Sequence, residues 1–182
     1  MDWLLPGTVL WIPRQEADRV QEKLSALFLA GGISLSQVAE ITGLETYTVQ
    51  NWVKRGFLPP PVNKKYSLEH LCRIININML KNVIPMERIC GMLGYINGQL
   101  DDESDDIIDD SRLYFLFVGL AARAKEVDEN REGLLQQALS NYAAPSEDAA
   151  QRVKTVLKIM LTAYLAARMQ QEASNMLKNI NL

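Results

Sequence analysis

The prolines at positions 59–61 are the feature that most constrains the fold of this 182-residue chain. Proline lacks a backbone N–H and fixes φ, so residues 57–62 cannot continue a helix and are predicted to be extended. Asn63 offers a turn after the prolines, and residues 64–66 can return as a second extended segment. The sequence therefore predicts a small two-stranded ribbon in a chain whose other apolar residues recur at helical spacing.

Two short helical patterns precede the prolines. The first covers residues 36–42 and ends at Gly43, and the second covers residues 46–55 and ends at Gly56. Glycine just past the last helical residue is a common helix end. Two helices joined by a short turn that contains glycine form a helix-turn-helix, whose second helix enters the DNA major groove. The pattern therefore predicts a helix-turn-helix, and the ribbon after it is predicted to be its wing.

The second helix of this pair has an apolar stripe, Val49, Trp52 and Val53, which is predicted to face the core. Amides at its outward positions can pair with adenine edges, and hydroxyl groups can reach phosphates or base edges. Lysines on the ribbon can offer positive charge to a phosphate. These arguments predict nine residues in contact with DNA: Thr46, Tyr47, Gln50, Asn51, Lys54, Arg55, Lys64, Lys65 and Tyr66.

The charge of the chain is unevenly distributed. The whole sequence is acidic, with a net charge of −3 and a pI near 5.3. Residues 46–88, in contrast, contain seven Lys and Arg residues against two Glu, a local net charge of +5. Local positive charge of this kind favours a polyanionic partner.

Residues 37–74, QVAEITGLETYTVQNWVKRGFLPPPVNKKYSLEHLCRI, resemble the opening of the MerR (mercury-resistance regulator) family. The matched features include the turn at residues 42–44, the aromatic Trp52 and the basic segment at 64–67, and the resemblance continues to Leu93. It implies a winged-helix DNA-binding domain, in which a recognition helix reads the major groove and a basic wing holds the DNA backbone.

Two positions depart from that family. Gln50 stands where members often have Arg, and Asn51 stands where they have an aromatic residue, so the operator sequence cannot be carried over. The whole chain, including NWVKRGFLPPPVNKKYS and DDESDDIIDD, is also similar to an uncharacterised bacterial family with a domain of unknown function. That second resemblance implies no activity.

Residues 101–110 read DDESDDIIDD, with seven acidic groups in ten residues, and mark a change of composition. We therefore expect an all-α fold class, with a MerR-like winged helix-turn-helix domain and its small two-stranded wing followed by an all-helical C-terminal domain. The expected segments are an N-terminal arm and helix (1–32), the winged helix-turn-helix domain (33–99), an acidic linker (100–110) and the helical C-terminal domain (111–182).

Several other site classes fit the sequence poorly. The acidic run fails as a calcium loop, because Asp106 stands where an EF-hand needs Gly and Arg112 where it needs Glu. Cys72 and Cys90 have no neighbouring Cys or His pair, as a zinc site would require. His70, the only histidine, is predicted to be structural. No phosphate loop or dinucleotide fingerprint is present, so we expect no enzyme, no catalytic residues, no cofactor and no metal.

The sequence predicts a cytoplasmic transcriptional regulator that binds specific double-stranded DNA. Residues 1–13 do not resemble a signal peptide and are predicted to form a surface arm that packs on the body of the protein. The longest apolar run, residues 156–167, is too short to cross a bilayer, so no membrane partner is expected. The C-terminal helices are expected to pair two copies as a homodimer or to bind an unknown small-molecule effector. The alternative is an adaptor that uses the winged helix to bind another protein.

Overall fold

The computed structural model describes residues 2–98, 100, 105–124, 127–178 and 180. These residues are mostly helical, as predicted. A short antiparallel sheet and a 3-10 helix precede the α-helices. The elements in chain order are β1 (Asp2–Leu4), β2 (Trp11–Pro13), the 3-10 helix (Arg14–Arg19), α1 (Val20–Ala26), α2 (Leu35–Thr42), α3 (Thr46–Lys54), α4 (Leu68–Leu80), α5 (Met86–Asn97), α6 (Asp110–Ala122), α7 (Val127–Leu139) and α8 (Glu147–Lys178).

Side-chain caps set the start of several helices. Ser34 accepts a hydrogen bond from the Gln37 N–H at the start of α2, and the Gln37 side chain in turn accepts one from the Ser34 N–H. Ser67 caps α4 in the same way, with the His70 ring as its partner. Such capping boxes satisfy backbone donors that a helix leaves unpaired. The cap at Ser34 moves the start of α2 to Leu35, one residue before the prediction.

The N-terminal segment is a β-hairpin that packs on the body of the protein. Trp3 pairs with Ile12 across the hairpin, and its side chain is buried. The Trp3 indole N–H donates to the Tyr164 hydroxyl at 3.2 Å, and the Tyr114 hydroxyl donates to the Pro6 carbonyl at 2.9 Å. Residues far apart in the sequence therefore hold the hairpin in the core.

Helix α4 lies at the centre of the molecule. Its apolar residues are buried on all sides, because α2, α5, α6 and α8 all pack against it. A helix that is apolar all round is stable only when it is enclosed by other elements. The buried apolar residues of both halves of the chain form one continuous core around α4.

The predicted linker at residues 100–110 differs from the structure at its C-terminal end, which belongs to this single core. Ile108 is buried, and Asp110 is the first residue of α6 and is 7% exposed. Asp109 caps α6 through a hydrogen bond from the Arg112 N–H. Residues 101–104 lie outside the described residues. The C-terminal end of the predicted linker is therefore part of the body of the protein, since its apolar and charged groups both find partners there.

Helix α8 has two parts with different surroundings. Between Val153 and Tyr164 most of its apolar side chains are buried against α4, α5, α6 and α7, whereas Ile159 is exposed. From Arg168 to Lys178 the helix is exposed, including Met169 and Met176. Among the described residues, no helix combines the length and the hydropathy that crossing a membrane requires.

Two glycines with the same backbone geometry give a test of the packing around α4. Gly7 and Gly56 have φ values of 73° and 74°, but a Cβ atom on Gly7 would lie 2.5 Å from the Ile75 carbonyl oxygen, whereas one on Gly56 would meet nothing within 4 Å. Gly56→Ala should lower the free energy of unfolding by about 1 kcal/mol through backbone strain. Gly7→Ala should cost about 1–3 kcal/mol more through overpacking. Urea denaturation measures both, and equal losses would contradict the contact with α4.

Candidate nucleic-acid interface

Helix α3 presents a polar face to solvent. Val49 and Trp52 are buried, with exposed fractions of 0% and 5%, so the prediction that Trp52 is a core residue is confirmed. The outward positions of α3 carry amide, hydroxyl and ammonium groups that no apolar neighbour covers. The exposed residues are Thr46, Tyr47, Gln50, Asn51 and Lys54.

A three-residue connection orients α3 against α2. Gly43 adopts φ 69° at the end of α2, and the side chain of Leu44 is buried in the core. The Asn78 amide of α4 donates to the Thr42 carbonyl at 2.9 Å and to the Gly7 carbonyl at the same distance. This amide therefore ties the α2 end of the helix pair to the N-terminal hairpin.

The ribbon after the prolines is a tight hairpin turn with one bridge. Val62 and Lys65 form an antiparallel bridge, and the Lys65 N–H donates to the Val62 carbonyl at 2.9 Å. Asn63 and Lys64 at the tip have φ values of 51° and 61°. Two positive φ values in a two-residue loop define a type I′ turn. The predicted turn is present, but the two-stranded sheet of the protein lies at β1 and β2.

Helix α3 and the hairpin turn lie side by side. Gln50 and Val53 of α3 line the same cavity of about 400 Å³ as Pro61 and Lys64 of the turn. Lys64 and Lys65 are both exposed. The amide face of α3 and the two lysines therefore belong to one surface, which we call the α3–turn surface.

Tyr66 is a correction to the predicted site. Its side chain is only 3% exposed, and its backbone pairs with Ile33 through two hydrogen bonds. Its ring meets the His70 ring edge-on, with a centroid separation of 5.8 Å. Burial raises the pKa of the Tyr66 hydroxyl. Tyr66 therefore has a core position and cannot offer its side chain to DNA.

Two basic residues near α3 are already paired. Arg55 is exposed, lies 3.0 Å from Glu87 and stacks over the Phe57 ring. An exposed ion pair contributes only about 0.2–1 kcal/mol, so a phosphate can compete for this guanidinium. Arg73 is 7% exposed and lies 2.9 Å from Asp110. Asp110 lies outside residues 46–88, so its pairing with Arg73 means that the local charge of +5 inferred from the sequence overstates the positive charge on the surface.

The sequence interpretation missed the polar groups inside α4. Arg73, Asn76 and Asn78 are polar positions in a helix that otherwise reads as apolar, LEHLCRIININML. Arg73 donates to the Phe57 carbonyl just past α3, and Asn76 donates to Asp110. Polar residues within an apolar helical stripe are a signal that could have indicated a buried network, although not its partners. Within the described residues, no group of three or more His, Cys, Asp or Glu is arranged to hold a metal ion.

Comparisons with known proteins agree with the similarity to an uncharacterised family. A family model described as Domain of unknown function (DUF1836) matches residues 26–117, about half of the chain. The chain is 32% identical over 80 residues to the uncharacterized protein YkrK of Bacillus subtilis (strain 168), which covers 42% of this chain. The chain spans about a third of the length of that relative, since the match covers 34% of it. No solved structure matches the chain.

The type I′ turn makes a prediction about stability. A non-glycine residue with positive φ costs about 1–2 kcal/mol, so Lys64→Gly should relieve strain and raise the free energy of unfolding by about 0.5–1 kcal/mol. Lys65→Gly is the matched control, because Lys65 loses the same charge but does not adopt positive φ. The control should instead lose about 0.5–1 kcal/mol. Chemical denaturation of both variants checks this, and a loss of stability in Lys64→Gly would contradict the turn geometry.

Proposed function

The chain belongs to the family described as a domain of unknown function, DUF1836, and we propose that it is a sequence-specific DNA-binding transcriptional regulator. The observation that carries the proposal is the α3–turn surface, where exposed amides and exposed lysines lie side by side. The major groove of B-DNA is wide enough to admit an α-helix such as α3. In this proposal the winged-helix resemblance to the MerR family describes how the surface meets DNA.

The two parts of the surface have different roles. Gln50 and Asn51, with Tyr47, meet base edges in the major groove, because a side-chain amide can both donate to and accept from adenine. Lys64 and Lys65 meet the phosphate backbone, where a flexible ammonium supplies charge without reading sequence. Lys54 and Arg55, at the C-terminal end of α3, are further phosphate contacts, and Arg55 exchanges Glu87 for a phosphate.

A protein-binding adaptor is the second candidate. It is favoured by two exposed apolar groups on the same surface, since Tyr47 is 62% exposed and Val62 is 69% exposed. Aromatic side chains of this kind are frequent in the centre of protein interfaces. The two functions differ in their dependence on salt. DNA binding releases counterions and weakens steeply as salt increases, whereas an interface centred on Tyr47 and Val62 does not.

The roles of the amides and the lysines can be separated by mutation. Gln50→Ala or Asn51→Ala should cost about 1–3 kcal/mol on a preferred site and little on random DNA, because the lost contact carries sequence information. Lys64→Ala or Lys65→Ala should weaken both DNAs equally. Each lysine variant should also reduce the slope of log affinity against log salt by about one unit. Fluorescence anisotropy with a site selected from random DNA measures these effects.

Glu40→Gln on α2 is the control for this series, since Glu40 is exposed but lies outside the proposed contacts. A uniform loss on both DNAs from Gln50→Ala and Lys64→Ala alike would show that α3 is not the reading helix. If all variants are folded and bind DNA as the unaltered chain does, the α3–turn surface does not bind DNA. The adaptor function would then be the better explanation of this surface.

We further propose that two copies pair through the exposed half of α8. Leu165, Met169, Ala173 and Met176 recur at steps of three or four residues and form one stripe of α8. Met169 and Met176 are 71% and 61% exposed. A helix half that no core covers is marginal in water, and an apolar stripe at this spacing is typical of a coiled-coil seam. Two α3–turn surfaces in one dimer would also strengthen DNA binding by avidity.

The double variant Met169→Glu with Met176→Glu should raise the dimer dissociation constant by at least about 100-fold, because each dimer loses four buried Met side chains. Each buried Met contributes about 1.5–3 kcal/mol, and about 1.4 kcal/mol corresponds to a factor of ten. Gln171→Glu is the control, since Gln171 lies on the opposite side of α8 at 3.6 residues per turn. Sedimentation equilibrium measures the constants. A monomeric unaltered chain at micromolar concentration would contradict pairing through α8.

A further inference from the structure

A cavity of about 450 Å³ lies beside the N-terminus of α6. Carboxyl groups of Glu69 and Asp109 line it, and Ile107 and the Tyr142 ring add apolar wall. Its volume lies within the range of about 300–1,000 Å³ that is usual for small-molecule sites. Charged and amide side chains make up most of the wall, which favours a polar ligand. None of these groups belongs to the α3–turn surface.

One buried acceptor at this cavity has no donor. Asn97, the last residue of α5, lines the cavity and is 5% exposed. Among the described residues, its Oδ1 atom has no hydrogen-bond partner. Buried polar atoms in folded proteins are nearly always paired, and an unpaired one is destabilising. Among the described residues the Asn97 carbonyl therefore lacks a hydrogen-bond donor, which a bound ligand could supply.

The charge of the cavity wall is negative. Arg73 and Asp110 neutralise each other, which leaves carboxyl groups of Glu69 and Asp109 against the cation Arg112 among the described lining residues. Arg112 is itself engaged, because it donates to the Asn141 carbonyl and lies 5.1 Å from the centre of the Tyr142 ring. A ligand with positive charge and N–H donors matches this wall.

Glu69 is the carboxyl group of the wall whose charged form a bound cation would stabilise most. It is half-buried and accepts a hydrogen bond from the Ser111 N–H at 3.0 Å. Burial raises the pKa of Glu69, the hydrogen bonds from Ser111 partly oppose this, and the nearby carboxylates of Asp109 and Asp110 raise it further. Its charged form is therefore short of positive partners, which a bound ammonium group would supply.

We propose that this cavity binds a small organic amine, whose ammonium group lies against Glu69 and whose N–H groups satisfy Asn97. The apolar wall accommodates a short carbon chain. The ligand class is thus an alkyl amine or diamine, since a carboxylate ligand would face the acidic residues and leave the Asn97 carbonyl without a donor.

The cavity is linked to α3 by one side chain. Arg73 donates from Nη1 to Asp110 at the cavity and from Nε to the Phe57 carbonyl at 3.0 Å. The Phe57 N–H in turn donates to the Trp52 carbonyl of α3 at 2.9 Å. An ammonium group bound against Glu69 also adds positive charge beside Asp110, which lines the same cavity, and so weakens the contact that holds Arg73 against the end of α3. The amine therefore acts as an effector that lowers DNA affinity, a step that rests on the proposed DNA-binding function.

Isothermal titration calorimetry of the full chain without DNA tests the site itself. The probe is 1,4-diaminobutane, with 1,4-butanediol and succinate as neutral and anionic ligands of similar length. We expect saturable binding of the diamine, affinity for the diol at least about tenfold weaker, and no binding of succinate. Glu69→Gln can still accept from Ser111, and it should weaken diamine binding about tenfold, since charge-assisted hydrogen bonds are the stronger ones. Glu87→Gln, outside the cavity, should not.

The failure of this inference can be told apart from that of the DNA-binding proposal. No diamine binding, equal binding of diamine and diol, or equal affinities in Glu69→Gln and the unaltered chain would each overturn the amine site, whatever the result with DNA. Diamine binding by a chain that binds no DNA would support the site and overturn the proposed function together with the effector role.

The effector role is tested by DNA affinity at constant ionic strength, with and without the diamine. Diamines also bind DNA directly, so the effect that remains in Glu69→Gln serves as the baseline. We expect the unaltered chain to lose about 5-fold or more in DNA affinity above that baseline, which is the lower end of typical allosteric coupling. The same loss in both proteins would overturn the coupling through Arg73.

Discussion

The buried ion pair between Arg73 and Asp110 is the interaction on which the rest of the arrangement depends. It joins the central helix α4 to the first residue of α6, and the same guanidinium holds the backbone just past α3. Both charged groups are about 7% exposed. Removing one partner of such a pair commonly costs about 3–5 kcal/mol, because the other charge is left buried without compensation. If the two halves of the chain separated, one of these charges would be left buried without its partner or both would have to be exposed to solvent.

This constraint explains why the candidate interface is rigidly placed. The central helix supplies Asn78 to the end of α2 and Arg73 to the end of α3, so the helix pair is held at both ends from one support. The pairing of Ile33 with Tyr66 then sets the hairpin turn beside α3. A surface that reads base edges needs this kind of support, because small displacements of its side chains lose the contact.

The two proposed binding regions have opposite charge, and one side chain separates them. The α3–turn surface offers exposed lysines, whereas the wall around Glu69 and Asp109 is acidic. Arg73 lies between them and makes contact with both sides through different nitrogen atoms. A change in the partners of Asp110 would therefore alter the contact at the end of α3 through the two hydrogen bonds that Arg73 donates. This coupling requires no large movement of domains.

The sequence by itself determined the local geometry. Gly43, the prolines at 59–61 and Asn63 each restrict the backbone of their own neighbourhood, and the helix end and the turn that they predict are present. Only the tertiary structure decided which polar groups are buried. Tyr66 lies in the core, and Arg73 pairs with a carboxylate instead of facing solvent. That carboxylate belongs to Asp110, which was predicted to lie in the linker but is buried in this ion pair. Backbone preference is set by a residue and its immediate neighbours, whereas burial of a charge depends on a partner that here lies 37 positions away along the chain.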